Sequence, residues 1–141
     1  MKKSIPSRFM SKSLLPAAAL TAVFSASAPV SAHHGTAVSY DQDNTITVVG
    51  TVTEFRWRNP HSALFLETLD ENGTVGHYTI ELASPVLMSR SSGWTRATFK
   101  PGDHVEFTVH PSRTEAPVGE CLFNCIVLVN GKRLEAQVQP Q

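Results

Sequence analysis

The strongest hydrophobic pattern in the chain runs from Asn44 to His61, NTITVVGTVTEFRWRNPH. It is rich in β-branched and aromatic residues, which suit a half-buried pleated surface, so it predicts a long strand. Ile46, Val48 and Val52 share one parity, whereas Phe55 and Trp57 share the other. Strict alternation would send the two groups to opposite faces. A bulge at Gly50 or its neighbourhood resolves the conflict by resetting the parity and bending the strand. A long, bent first strand is what a small closed barrel needs. Asn59-Pro60-His61 ends the segment.

The remaining pattern is of the same kind. Ser62 to Leu69 predicts a second strand, apolar on both parities at Leu64, Phe65 and Leu66. Asp70-Glu71-Asn72-Gly73 is a turn, with Asn-Gly its tightest part. Val75 to Leu82 predicts a third strand, with Tyr78, Ile80 and Leu82 on one face and His77, Thr79 and Glu81 on the other. Ser84-Pro85 opens a short helix as N-cap and first-turn proline, and Gly93 stops it. Trp94 then plugs one end of the core. Lys100-Pro101-Gly102-Asp103 has proline and glycine in type II order. Val105, Phe107 and Val109 form the core face of a fourth strand that ends at His110-Pro111. A polar loop from Ser112 to Glu120 leads to a fifth strand, Cys121 to Val129. Asn130-Gly131 turns the chain into a short return, Lys132 to Leu134. This order predicts an all-β fold with one short helix, a five- to six-stranded OB-like β-barrel. The alternative is an open β-sandwich with one helix.

The start of the chain is of another character. Lys2, Lys3, Arg8 and Lys12 precede a short apolar run, Leu14 to Phe24, and small residues up to Ala32. That layout predicts a cleavable signal peptide over residues 1–32 and a periplasmic or secreted mature protein. The alternative is an uncleaved N-terminal anchor. The run is too short to span a bilayer as a mature helix, so no membrane span is expected after cleavage. Residues 33–43 form an arm of little periodicity, flexible unless something ties it down. Residues 44–136 form the single barrel domain and 137–141 a frayed tail. The 141-residue precursor balances 12 Lys+Arg against 12 Asp+Glu. Cleavage removes four of the basic residues and none of the acidic ones, which leaves a net charge of −4. An acidic exported chain is a poor partner for nucleic acid.

Cys121 and Cys125 would be roughly 13 Å apart in a straight strand, at about 3.3 Å per residue, too far for a disulfide. A bond requires a tight turn at Leu122-Phe123-Asn124. Otherwise the pair stays as free thiols or takes a metal role.

His33-His34, Trp57-x-Asn59-Pro60-His61, Ser84-Pro85, Gly93-Trp94, Lys100-Pro101-Gly102-Asp103 and His110-Pro111 occur in this order. The set resembles a family of exported bacterial proteins known only as a domain of unknown function, number 6152. The resemblance covers nearly all of the mature chain. Each short motif is weak alone, and the ordered set is fairly specific. It implies export and a small β-rich domain, and it implies no activity. The two cysteines are not part of that pattern.

The sharpest chemistry sits at the cleavage point. Cut after Ala32, the chain begins with His33, whose free amine and imidazole can chelate one metal ion. A third nitrogen from another histidine completes a T-shaped copper site. Cut one residue earlier, Ala32-His33-His34 is a Cu(II) chelate through the amine, two amides and an imidazole. Both suit Cu(II) or Ni(II), which favour planar nitrogen. The plain alternative is an exposed His pair that binds nothing. His110 is the preferred third ligand, because an antiparallel fourth strand ends where the first begins. His61 is the second choice. It lies roughly 40 Å of extended chain away, and an arm of about ten residues reaches roughly 33–36 Å. His77 and His104 sit on strand faces and are expected to be solvated or hydrogen-bonded rather than ligands.

A metal-free reading uses Arg56, Trp57, Arg58 and Asn59 to hold an unknown small ligand, a glycan or a periplasmic protein near the first inter-strand loop. The alternative places Trp57 in the core and leaves both arginines solvated or paired with Glu54 and Glu67. No enzyme class stands out. Ser62, Ser84 and Cys121 lack a base and an orienting group, and no phosphate-binding glycine loop is present.

Overall fold

The computed structural model describes residues 35–134. Residues 1–34, which include the expected signal peptide, His33 and His34, and residues 135–141 lie outside the described residues. Within them the chain forms a one-turn helix α1 (Gly35–Ser39), strands β1 (Ile46–Arg56), β2 (Ser62–Leu69) and β3 (Val75–Leu82), helix α2 (Pro85–Ser92), and strands β4 (His104–Pro111), β5 (Val118–Cys121), β6 (Val127–Val129) and β7 (Lys132–Leu134). The strands hydrogen-bond in the order β1-β2-β3-β5-β4-β6-β7, and a further β1–β4 pairing closes the first five into a barrel.

β1 makes closure possible because it is long enough to serve two neighbours. Ile46 to Thr51 pair with Val109 to His104 of β4, and Thr51 to Arg56 pair with Glu67 to Ala63 of β2. Val48, Gly50 and Val52 face inward. The register then slips between Val52 and Glu54, and Phe55 and Trp57 pack against the core on the opposite parity. The parity-resetting bulge is therefore at Thr53, three residues after Gly50. Gly50 has a different task. A Cβ there would lie 2.6 Å from the Glu67 carbonyl oxygen, so the glycine permits close approach of β1 and β2.

The barrel interior is filled by Val52, Leu64, Leu66, Ile80, Leu82, Val105, Phe107, Val109 and Val127, each at most 1 % exposed. Met88 of α2 and Trp94 are buried with this core, and the Trp94 ring meets Phe99 edge-on at 5.2 Å. Ser84 Oγ accepts from Leu87 N–H, and Gly93 ends the helix at φ 67°. Glycine adopts that left-handed conformation without a Cβ clash. Gly102, at φ 91°, turns the chain into β4 in the same way.

The expected fifth strand, Cys121 to Val129, is divided. β5 starts earlier, at Val118, and runs parallel to β3; β6 pairs with the first half of β4. Between them, Asn124 takes φ 56° and the chain doubles back so that Cys121 and Cys125 form a disulfide with Cα atoms 5.8 Å apart. Folding these residues as a tight loop removes the separation that a straight strand would impose.

The described part of the arm is hydrogen-bonded to the barrel. Tyr40 bridges to Ser112, Asp41 N–H donates to the Pro111 carbonyl, and Arg113 donates to the carbonyls of Ser39 and Ala37. Its backbone groups find partners along the end of β4, an edge that the sequence pattern leaves unassigned.

Candidate functional site

The pairing of β3, β5 and β4 assembles a polar row on the outside of the barrel. Ile80 and Leu82 face the core, so Glu81 between them faces out. Glu81 is in register with Glu120 of β5, and Glu120 with His110 of β4. Register partners share a face, so two carboxylates and an imidazole stand side by side. His61 joins them from the turn before β2, with its Nδ1 hydrogen-bonded to Glu81 Oε1. The Asn59–Pro60 peptide that leads into it is cis.

The arm covers this row. Tyr40 Oη donates to Glu81 Oε2 at 2.6 Å, and Gln42 Nε2 donates to Glu120 Oε1 at 2.9 Å. Under that cover Glu120 is 2 % exposed, and its Oε2 has no hydrogen-bond partner. Burial pushes the Glu120 carboxyl above the usual carboxylate range, and the neighbouring Glu81 charge adds to the shift. The Gln42 bond and the nearby His110 and His61 act in the opposite sense. Burial, and then the bond to Glu81, also hold the Tyr40 hydroxyl well above its ordinary value. A neutral phenol that donates to a carboxylate is the result.

A cavity of about 250 Å³ opens beside the row, lined by Thr36, Gln42, His110, Glu120 and the Leu122–Asn124 loop. His110 Nδ1 lies 2.8 Å from the Asn44 carbonyl oxygen. A carbonyl can only accept, so in the neutral ring Nδ1 carries the proton and the lone pair is on Nε2. His61 is held in the same sense by Glu81. An imidazole oriented through Nδ1 with Nε2 available is the common arrangement of a histidine metal ligand. Among the described residues, no three His, Cys, Asp or Glu side chains come together closely enough to hold a metal ion by themselves.

The residues singled out from sequence fall into three groups. His110 and His61 are brought to the same row. His61 and the arm both reach Glu81, so the extended-chain distance between them overstates their separation; strands that coil around a barrel bring their ends together. His33 and His34 lie outside the described residues. Arg56, Trp57, Arg58 and Asn59 lie at and just beyond the end of β1. Trp57 is half-buried against the core and meets Phe55 edge-on. Arg56 bonds Glu54 and lies over the Phe65 ring, 4.4 Å from its centroid, while Arg58 and Asn59 are exposed.

His77 and His104 are exposed, as expected. Ser84 caps a helix, Ser62 is fully buried and Cys121 is disulfide-bonded. Sequence reasoning missed Glu120, Glu81, Tyr40 and Gln42. The alternation of β3 placed Glu81 outward, but the parallel β3–β5 register that sets it beside Glu120 leaves no mark in either strand.

A second and larger groove, about 550 Å³, is lined by Ile46, Tyr78, Pro111, Arg113 and Pro117, among others. Its cation, Arg113, is engaged by the Ala37 carbonyl and lies 3.7 Å from Asp41.

No curated protein matches the chain. A family match does extend over residues 20–120, from the apolar run through the row to Glu120, with Cys121 and Cys125 beyond it. It spans more than half of the sequence, and the chain therefore belongs to that family, a family of unknown function designated DUF6152.

Proposed function

We propose that this β-barrel protein is exported to the periplasm or secreted, and that its mature form binds copper through His33, with His110 as the third nitrogen. The observation that carries this reading is the position of Thr36. It lines the same cavity as His110. Three residues of sequence separate His33 from Thr36, a span of at most about 11 Å of extended chain. The His33 amine and imidazole, with His110 Nε2, would supply the planar nitrogen set that Cu(II) favours. His34 adds a neighbouring imidazole. His61 is the second choice for the third nitrogen, because Glu81 joins it to Tyr40 of the arm.

Cu(II) is titrated into protein that begins at His33 and into protein carrying one extra N-terminal residue. Tighter binding and a distinct Cu(II) spectrum for the native start support amine ligation. Equal affinity and equal spectra sink it. The His110→Gln variant then asks whether that histidine contributes. Mass spectrometry of the exported protein checks export itself: a first residue later than His34 removes the proposed ligand.

A metal-free module that takes a partner protein or a glycan on Arg56, Trp57, Arg58 and Asn59 has less support. Trp57 contributes to the packing and Arg56 is committed to Glu54. For that reading Trp57→Ala must abolish ligand binding in a folded domain, whereas loss of the fold counts against it.

A further inference from the structure

We infer that the cavity beside the row binds a small organic cation, a primary ammonium ion on a short carbon chain, held by Glu120 in the place that the Gln42 amide now occupies. This goes beyond the copper reading and does not depend on it: every residue it uses is a described one, and no metal takes part. Glu120 lines the cavity and is 2 % exposed. Its Oε1 accepts from Gln42 Nε2 at 2.9 Å, and its Oε2 is buried without a partner. A carboxylate withdrawn from water needs a compensating charge or donors for both oxygens. Among the described residues the fold supplies neither. Glu81, its neighbour in register on β3, is a second carboxylate. The His61 imidazole and the Tyr40 hydroxyl are both spent on Glu81. On the other side, His110 gives its Nδ1 proton to the Asn44 carbonyl. No lysine or arginine is among the described residues that line the cavity.

The class of ligand follows from the lining. A metal ion held by protein alone needs several ligating side chains close together, and no such group of His, Cys, Asp or Glu forms among the described residues. An ammonium ion has no such requirement. It carries three N–H donors, and the acceptors of the lining residues are the Glu120 carboxylate, the Thr36 hydroxyl and the lone pair of the neutral His110 ring. Leu122 and Phe123 give a carbon chain an apolar wall, and an aromatic face attracts a cation. A volume of about 250 Å³ is below the usual range for drug-sized ligands, which limits the chain to a few carbons. Gln42 is the group displaced. It is exposed, it belongs to the arm rather than the barrel, and its amide gives Glu120 one neutral donor. A cation in place of that amide nitrogen meets Oε1 directly, and it acts on Oε2 as well because the two oxygens share the negative charge. The resulting bond is roughly twice as strong as a neutral one.

The test is run with a metal chelator present, so copper plays no part in it. Butylamine hydrochloride, butan-1-ol and sodium butyrate are titrated into the protein, and the backbone amides of Leu122 to Asn124 are followed by NMR. The expected result is saturable shifts with butylammonium, binding about tenfold or more weaker for the alcohol, and none for butyrate. Glu120→Gln keeps size and removes charge, so it should weaken butylammonium binding about tenfold or more and leave the alcohol unchanged. Gln42→Lys tethers an ammonium group at the same carboxylate. It should block butylammonium and raise the melting temperature by about 4 °C or more, and the rise should vanish when Glu120→Gln is added. Equal binding of amine and alcohol overturns the inference by making the cavity a plain apolar one, and the absence of saturable shifts overturns it outright. A Gln42→Lys variant that neither stabilises nor blocks also overturns it, and assigns the neutralisation of Glu120 to a proton. Should Glu120→Gln fail to fold, Gln42→Lys and the alcohol comparison decide the question by themselves. The copper reading is tested separately, by the native and extended N-termini, and stands or falls independently of these outcomes.

Discussion

Tyr40 Oη donates to Glu81 Oε2 at 2.6 Å and so fastens the N-terminal arm to the third barrel strand. The phenol is buried and the acceptor is charged, a combination that makes the bond stronger than a neutral one. Tyr40→Phe keeps the ring and removes the donor. It should cost about 1.5 kcal/mol in urea unfolding. Amide exchange of residues 40–43 should quicken more than that of β1, because the arm can open without the barrel. Uniform acceleration across both would show that the arm and barrel open together.

Gly50 is required by contact rather than by φ. The Glu67 carbonyl stands 2.6 Å from where a Cβ would be, and backbone cannot step aside as a side-chain tip can. Gly50→Ala should therefore destabilise the barrel by about 1–3 kcal/mol, the usual range for overpacking. Gly76→Ala is the control, since its Cβ would meet only the Thr68 hydroxyl at 3.0 Å. Similar losses at both positions would refute the close-approach explanation.

The Cys121–Cys125 disulfide closes a short loop whose residues Leu122 to Asn124 form one wall of the cavity beside His110. Replacing both cysteines with serine should cost ~2 kcal/mol from loop-closure entropy alone. On the copper reading proposed above, it should also weaken Cu(II) binding by loosening that wall, without abolishing it. Chemical denaturation and a copper titration of the double variant check the two effects separately.

Asp70 gives the β2–β3 hairpin a pH dependence of known sign. Its carboxylate accepts from the backbone N–H groups of Thr74 and Asn72, and these bonds hold its pKa below the ordinary 3.8. A depressed folded pKa contributes stability that is present above the unfolded value and lost as pH falls through the folded one. Asp70→Ala should lower the melting temperature at pH 7, and the gap to the parent should close on acidification below about pH 4. A gap that stays constant down to pH 2 would assign the effect to something other than this carboxylate.

The barrel was legible because its signals are local. The Ser84 cap, the Gly93 stop, the Pro101-Gly102 turn and the alternation of β3 and β4 each act over a few residues, and each stands where the pattern put it. The need for a parity reset in β1 was equally visible, though its position was not. Thr53 is neither glycine nor proline, and only the pairing with β2 shows that the slip occurs there. The division of the fifth strand was hidden for a similar reason. A disulfide four residues wide and a left-handed Asn124 override a segment whose composition reads as continuous strand.

The candidate site divides along the same line. From the sequence come the barrel order, the histidine at the expected cleavage point and the adjacency of His110 to the start of β1, all of which follow from chain order and antiparallel pairing. The tertiary structure decided that Glu120, Glu81, His61 and His110 form one row, and that Tyr40 and Gln42 cover it. Parallel pairing of β3 with β5 brings together strands that are distant in the chain, and closure of the barrel sets their neighbours beside them. Burial of a carboxylate under the arm is a property of that assembly, with no counterpart in the residues taken singly.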